Sequence, residues 1–171
     1  MAYPVRLLSA LALAAAATLA FAAPAAARAV GDWEVVPGAR SCTMLSTFED
    51  DVSIGLIAPR KGALSFIAGG KGIEPLVRSG QKVAVDLKFA GNVPHDDWAD
   101  DAALVLAAPG GGTMVVADWG DSFAKELADT VTASRTVTLT IGGKTVGTYD
   151  LSGSPAAYGQ LSRCGGELAA K

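Results

Sequence analysis

Lys82-Val83-Ala84-Val85-Asp86-Leu87-Lys88-Phe89 is the stretch whose pattern decides the fold class. Val83, Val85, Leu87 and Phe89 fall on one side of an extended chain, and Lys82, Asp86 and Lys88 on the other. Successive side chains of a strand point to opposite faces, so this period of two predicts a strand with one face in a core and one in water. Gly91-Asn92 ends it.

The same period recurs on both sides. Trp33-Glu34-Val35-Val36 reads as a short strand closed by Pro37-Gly38, and Cys42 to Phe48 as a second, with Cys42, Met44 and Phe48 on one face. Val52, Ile54 and Leu56 alternate with small residues. A turn at Pro59-Arg60-Lys61-Gly62 leads to a fourth strand, Ala63 to Ile67. Proline there presets φ and glycine permits a positive φ. Downstream, Ala102 to Leu106 and Thr113 to Ala117 flank the glycine-rich Pro109-Gly110-Gly111-Gly112 and read as a hairpin. Arg135 to Ile141 alternates again, with Val137, Leu139 and Ile141 inward, and Lys144 to Leu151 returns after Gly142-Gly143. Two consecutive glycines suit a type I′ turn, whose central residues both need positive φ.

Two helical pieces interrupt the strands. Asp121 to Ala128 begins with a capping carboxylate and places Phe123 over Leu127. In the last, Ser154 is a good N-cap, Pro155 suits the first turn, and Gly165 is placed to stop it. Ala157, Leu161 and Cys164 share one face. The expected fold is therefore all-β, an antiparallel β-sandwich or flattened barrel with two short helices, the second near the C-terminus.

The N-terminus carries a different signal. Arg6 precedes the uncharged Ala/Leu run Leu7 to Ala23, and small residues follow through Ala29. This is the layout of a secretory signal peptide, with cleavage after Ala27 or Ala29. Residues 1–29 read as leader and 30–171 as a single β-rich domain. The expected location is periplasmic or secreted, with no stable membrane span after cleavage. The 142 to 144 residues that remain are enough for one domain core. All acidic residues lie in that part, so loss of Arg6, or of Arg6 and Arg28, moves the net charge from −3 to −4 or −5. Nucleic acid and anionic membrane surfaces need clustered Lys and Arg and are not expected partners.

Cys42 and Cys164 are the two cysteines of the sequence. In an oxidising compartment they predict one disulfide across most of the domain. A Cys/His metal site would lack partners beyond His95, the one histidine present.

Candidate chemistry is sparse. His95, Asp96, Asp97, Asp100 and Asp101 form a dense polar cluster around Trp98, read as a solvated loop. Asp96, Asp97, Asp100 and Asp101 are a weak candidate site for a hard cation, without the ligand order or sharp-turn glycine of a calcium loop. No Gly-x-Ser-x-Gly elbow occurs, and Ser122-Phe123-Ala124-Lys125 matches S-x-x-K without its companion motifs. Gly142-Gly143-Lys144-Thr145 lacks the first glycine of a phosphate loop and its following helix, so no cofactor is expected. Trp33, Trp98 and Trp119 read as caps on the core, with a ligand groove as the other reading.

Trp33-Glu34-Val35 near the start and Tyr149-Asp150-Leu151-Ser152-Gly153-Ser154-Pro155-Ala156-Ala157 near the end carry a resemblance. In leader, early Trp-x-Val strand, β-rich middle and late strand entering an Ala-rich helix, the chain resembles the invasion-associated locus B family of small exported proteobacterial proteins. Relatives commonly place a cysteine just after the early strand; this chain has Val36-Pro37 there and its Cys at 42. The resemblance implies a periplasmic or surface β-domain associated with host interaction or envelope stress, with no catalytic residues to carry over. Together these readings describe an exported non-enzymatic module for an envelope protein or glycan. The alternative is a small metal-assisted hydrolase using the His95/Asp96/Asp97/Asp100/Asp101 loop.

Overall fold

The computed structural model describes residues 28–30, 32–61, 63–93, 95–108 and 111–169; the expected leader through Ala27, and Pro109-Gly110, lie outside them. Among the described residues, ten antiparallel strands form one continuous sheet: β1 (Arg28–Val30), β2 (Trp33–Pro37), β3 (Ser41–Thr47), β4 (Ser53–Pro59), β5 (Ser65–Gly69), β6 (Lys82–Gly91), β7 (Asp97–Ala107), β8 (Thr113–Ala117), β9 (Ser134–Ile141) and β10 (Lys144–Asp150). Their order across the sheet is β1-β2-β3-β4-β5-β8-β7-β6-β9-β10. The sheet curls into a half-barrel, so the backbone ladder follows the barrel-like form of the all-β expectation. Among the described residues the α-helices are α1 (Ala124–Ala133) and α2 (Ser154–Ala169).

Alternation decides which face turns inward. Met44, Leu56, Phe66, Val115, Val105, Leu87 and Leu139 come from seven strands yet pack in one cluster with Leu127 of α1 and Leu161 of α2. Side chains from so many strands can meet only on the concave side, so the helices fill the half-barrel. α1 makes the crossover from β8 to β9 through that interior, and Leu127, Ala128 and Val131 are its buried stripe. It runs five residues beyond the expected end because Thr130 and Val131 are held by packing, which overrides the modest helix propensity of β-branched residues.

The two edges of the sheet are linked by side chains. The Trp33 indole N–H donates to the Ser152 carbonyl at 2.8 Å, and the Tyr149 hydroxyl donates to Asp50 at 2.8 Å. Phe48 packs on the Tyr149 ring at a centroid distance of 4.7 Å. Burial first, and then the hydrogen bond to Asp50, push the Tyr149 phenol well above its ordinary value. The expected disulfide joins Cys42 to Cys164 with Cα atoms 6.0 Å apart, tying α2 to β3.

Several local expectations need correction. β5 lies two residues later than the predicted fourth strand. Asp121 makes no capping bond; it opens a 3₁₀ turn, Asp121–Phe123, after Gly120. The Ser154 hydroxyl donates to Val131 of α1 at 3.1 Å, so it joins the two helices. Gly165 does not stop α2, which continues to Ala169 with Leu168 packed on the core. Gly142 and Gly143, with φ of 58° and 76°, form the expected tight hairpin turn.

Candidate functional site

The expected acidic loop is not one. Asp97, Asp100 and Asp101 belong to β7, an eleven-residue strand. The reason is a bulge: between the pairs Val85↔Asp100 and Val83↔Ala103, two residues of β7 oppose Ala84 alone. The bulge reverses the inward parity, so Trp98 is buried before it and Ala103 and Val105 after it. A plain period-two reading fails across such a point, which made this segment look irregular.

Asp100 holds the bulge and its surroundings. One carboxylate oxygen accepts from the Ala102 N–H at 2.9 Å and the other from the Asp118 N–H at 3.1 Å. Asp118 in turn accepts from the Gly120 N–H at 2.7 Å, closing the turn that carries Trp119. Asp97 stands across the ladder from Lys88, while His95, Asp96 and Asp101 are exposed. Among the described residues, no three His, Cys, Asp or Glu side chains converge as a metal-ligand set.

What the tertiary structure assembles instead is aromatic. Trp98 meets Trp119 edge to face at a centroid distance of 5.1 Å, Phe123 at 6.3 Å and His95 at 5.1 Å. The Trp119 indole N–H donates to the Ala99 carbonyl at 2.7 Å and that of Trp98 to the His95 carbonyl at 3.2 Å. Both indole donors are therefore committed to backbone, which fixes the rings; Trp98 is itself buried, so the accessible aromatic surface is that of Trp119 and Phe123. A cavity of about 220 Å³ is lined by these rings together with Asp97, Ala99 and Glu126. Phe123 is 48% exposed and Trp119 half-buried, so part of the aromatic surface faces solvent.

Three tryptophans thus divide. Trp33 is a core cap, Trp98 is both core and cavity wall, and Trp119 packs half-buried against the core while also lining the cavity. The sequence does not mark Phe123 and Glu126 as site residues, because the helical spacing places Phe123 over Leu127. Nothing in the local pattern brings the start of α1 to the start of β7.

The S-x-x-K match has no catalytic geometry. Ser122 is exposed, and Lys125 is paired with Asp129, whose hydrogen bond and charge raise the ammonium pKa. A base must shed its proton near neutral pH, so the shift runs the wrong way. Lys144 and Thr145 lie exposed at a hairpin. Among the described residues, no helix is long and apolar enough to cross a membrane. The chain matches no protein-family model, no curated protein and no solved structure.

Proposed function

We propose that this chain is an exported, non-enzymatic interaction domain of the bacterial envelope that binds a glycan at the Trp98–Trp119–Phe123 cavity. The observation that carries this reading is the pairing of solvent-facing aromatic rings with the Asp97 and Glu126 carboxylates around one small concavity. Sugar rings present apolar C–H faces that stack on aromatic surfaces, and their hydroxyls donate to carboxylates. A concave, mainly apolar site with a few polar groups is the general form of a small-ligand site. An acidic domain suits neutral partners better than anionic ones.

Export is supported by the leader pattern, and envelope residence by the layout shared with the invasion-associated locus B family. Of the two cleavage positions, a cut after Ala27 keeps β1 whole, whereas a cut after Ala29 removes two of its three residues. The mature N-terminus is therefore expected at Arg28, read by intact mass of the exported protein.

The test of glycan binding is titration with envelope oligosaccharides, followed by tryptophan fluorescence and calorimetry. Trp119→Ala with Phe123→Ala should weaken binding at least about tenfold, or about 1.4 kcal/mol. Retention of wild-type affinity in that double variant, or hydrolysis of the oligosaccharide, refutes the proposal.

A further inference from the structure

The aromatic cavity is one-sided in its hydrogen-bonding chemistry. Both indole N–H groups are spent on backbone, that of Trp98 on the His95 carbonyl and that of Trp119 on the Ala99 carbonyl. Asp97 and Glu126 also line it, and an ionised carboxylate only accepts. Among the described lining side chains, His95 alone has a ring N–H left to give, and a neutral imidazole has a single one. The wall therefore offers acceptors and ring surface, and almost no donors.

Its charge leans the same way. None of the described side chains lining the cavity is Lys or Arg. Lys88 stands opposite Asp97 in the ladder, yet the one ion pair among the described residues is Lys125 with Asp129, so neither Asp97 nor Glu126 has a cation partner. Glu126 is nevertheless half-buried, held in the first turn of α1. Asp100 and Asp118 add two carboxylates on the segments that carry Trp98 and Trp119, and their bonds to backbone N–H groups fix them without cancelling their charge. A concave surface lined by one sign of charge concentrates ligands of the other.

An ammonium group is the complement of such a wall. It brings three donors and no acceptor, makes charge-assisted bonds to carboxylates, and is attracted to a ring face within about 6 Å of its centroid. Trp119 and Phe123 present the accessible ring surface here. The cavity volume of about 220 Å³ lies below the roughly 300–1,000 Å³ of drug-sized sites, so it takes one sugar ring and leaves the rest of a chain in solvent.

We propose that the cavity selects an amino sugar whose amine is free and protonated, a glucosamine-type residue, a proposal that rests on the glycan reading and names its sugar. The ring lies on Trp119 and Phe123, and the ammonium donates to Asp97 and Glu126. N-acetylation cancels the charge and adds a carbonyl acceptor, for which the lining side chains have only His95 as donor. A uronic acid brings a carboxylate to a wall that already carries two.

The test is calorimetric titration of the full exported protein with a glucosamine tetramer, its fully N-acetylated counterpart and neutral cellotetraose, under conditions where the sugar amines are protonated. Saturable one-to-one binding of the glucosamine tetramer is expected, at least tenfold tighter than that of the N-acetylated one. Asp97→Asn with Glu126→Gln should remove the preference, so that the two oligomers bind within about twofold of each other. Asp97 is exposed and glutamine is a good helix former, so circular dichroism should show the fold intact. Equal binding of the two oligomers by the wild type overturns the proposal and leaves the glycan reading standing. Failure of all three oligosaccharides to bind overturns both. Tetralysine binding as tightly as the glucosamine tetramer shows attraction to diffuse charge alone and overturns the proposal, as does a preference that survives in the Asp97/Glu126 variant.

Discussion

Removing the Cys42–Cys164 bridge is the perturbation whose size is best worked from the structure. The two residues are 122 apart in sequence, so the bond closes almost the whole domain. Chain entropy for a loop of that length gives about 5 kcal/mol of destabilisation of the unfolded state, and loss of a native bridge commonly costs about 2–5 kcal/mol. Cys42 is fully buried on β3 and Cys164 sits on the face of α2 that carries Ala157 and Leu161, so the bond also fixes the helix against the sheet. Cys42→Ala/Cys164→Ala should therefore lose about 2–5 kcal/mol in urea denaturation followed by tryptophan fluorescence and circular dichroism. For a domain of this size that lowers Tm by roughly 6–20 °C. The urea dependence should steepen, because the unfolded chain without the bridge exposes more surface. Hydrogen exchange should show α2 losing protection before β6 and β9, since only side-chain packing through Ala157, Leu161 and Leu168 and the Trp33–Ser152 and Ser154–Val131 hydrogen bonds then hold it. A loss below about 1 kcal/mol refutes the entropic reasoning. Unchanged protection in α2 refutes the claim that the bridge holds the helix.

Two glycine substitutions should act with opposite signs. Gly165→Ala should stabilise by up to about 1 kcal/mol, because a Cβ there meets nothing within 4 Å and the position is inside a helix; thermal melts that show destabilisation mean the helix ends there. Gly55→Ala should cost about 1–3 kcal/mol or more, since its Cβ collides with backbone rather than a movable side chain, and a neutral result in the same melts removes the close approach of β3 and β4. Tyr149 is predicted to make stability fall as pH rises above the ordinary phenol value of 10.0, because the unfolded chain then releases a proton that the folded one keeps. Below that pH the contribution is intact, and Tyr149→Phe, losing a bond to a carboxylate worth about 1.5–3 kcal/mol, should flatten the alkaline slope in pH-dependent denaturation. Asp100→Ala should loosen the Trp119 turn and quench the near-ultraviolet circular dichroism of the aromatic cluster while far-ultraviolet signals persist; an unaltered near-ultraviolet spectrum means Asp100 does not position that turn.

Strand character was legible wherever one face is buried without interruption. Val83 to Phe89 and Val137 to Ile141 carry their pattern in consecutive residues, and a one-residue slip would expose an entire apolar row. The Gly142-Gly143 turn and the Cys42–Cys164 pairing were likewise local or combinatorial facts, needing only backbone φ preference and the presence of two cysteines. The bulge in β7 was not legible. It breaks the period, and its cause, Asp100 bonding to Ala102 and to Asp118 on another strand's exit, is a contact between segments. The curl of the sheet was decided only by packing, as was the length of α2 past Gly165. The aromatic cavity came later still. Trp98, Trp119 and Phe123 meet because β8 folds back beside β7 before α1 begins, and Leu45, Ile57 and Ile67 share a face because the two ladders that join β3, β4 and β5 set their register. A sequence specifies its faces through periodicity, a short-range property; which faces meet is set by strand order, and strand order is settled by the whole core at once.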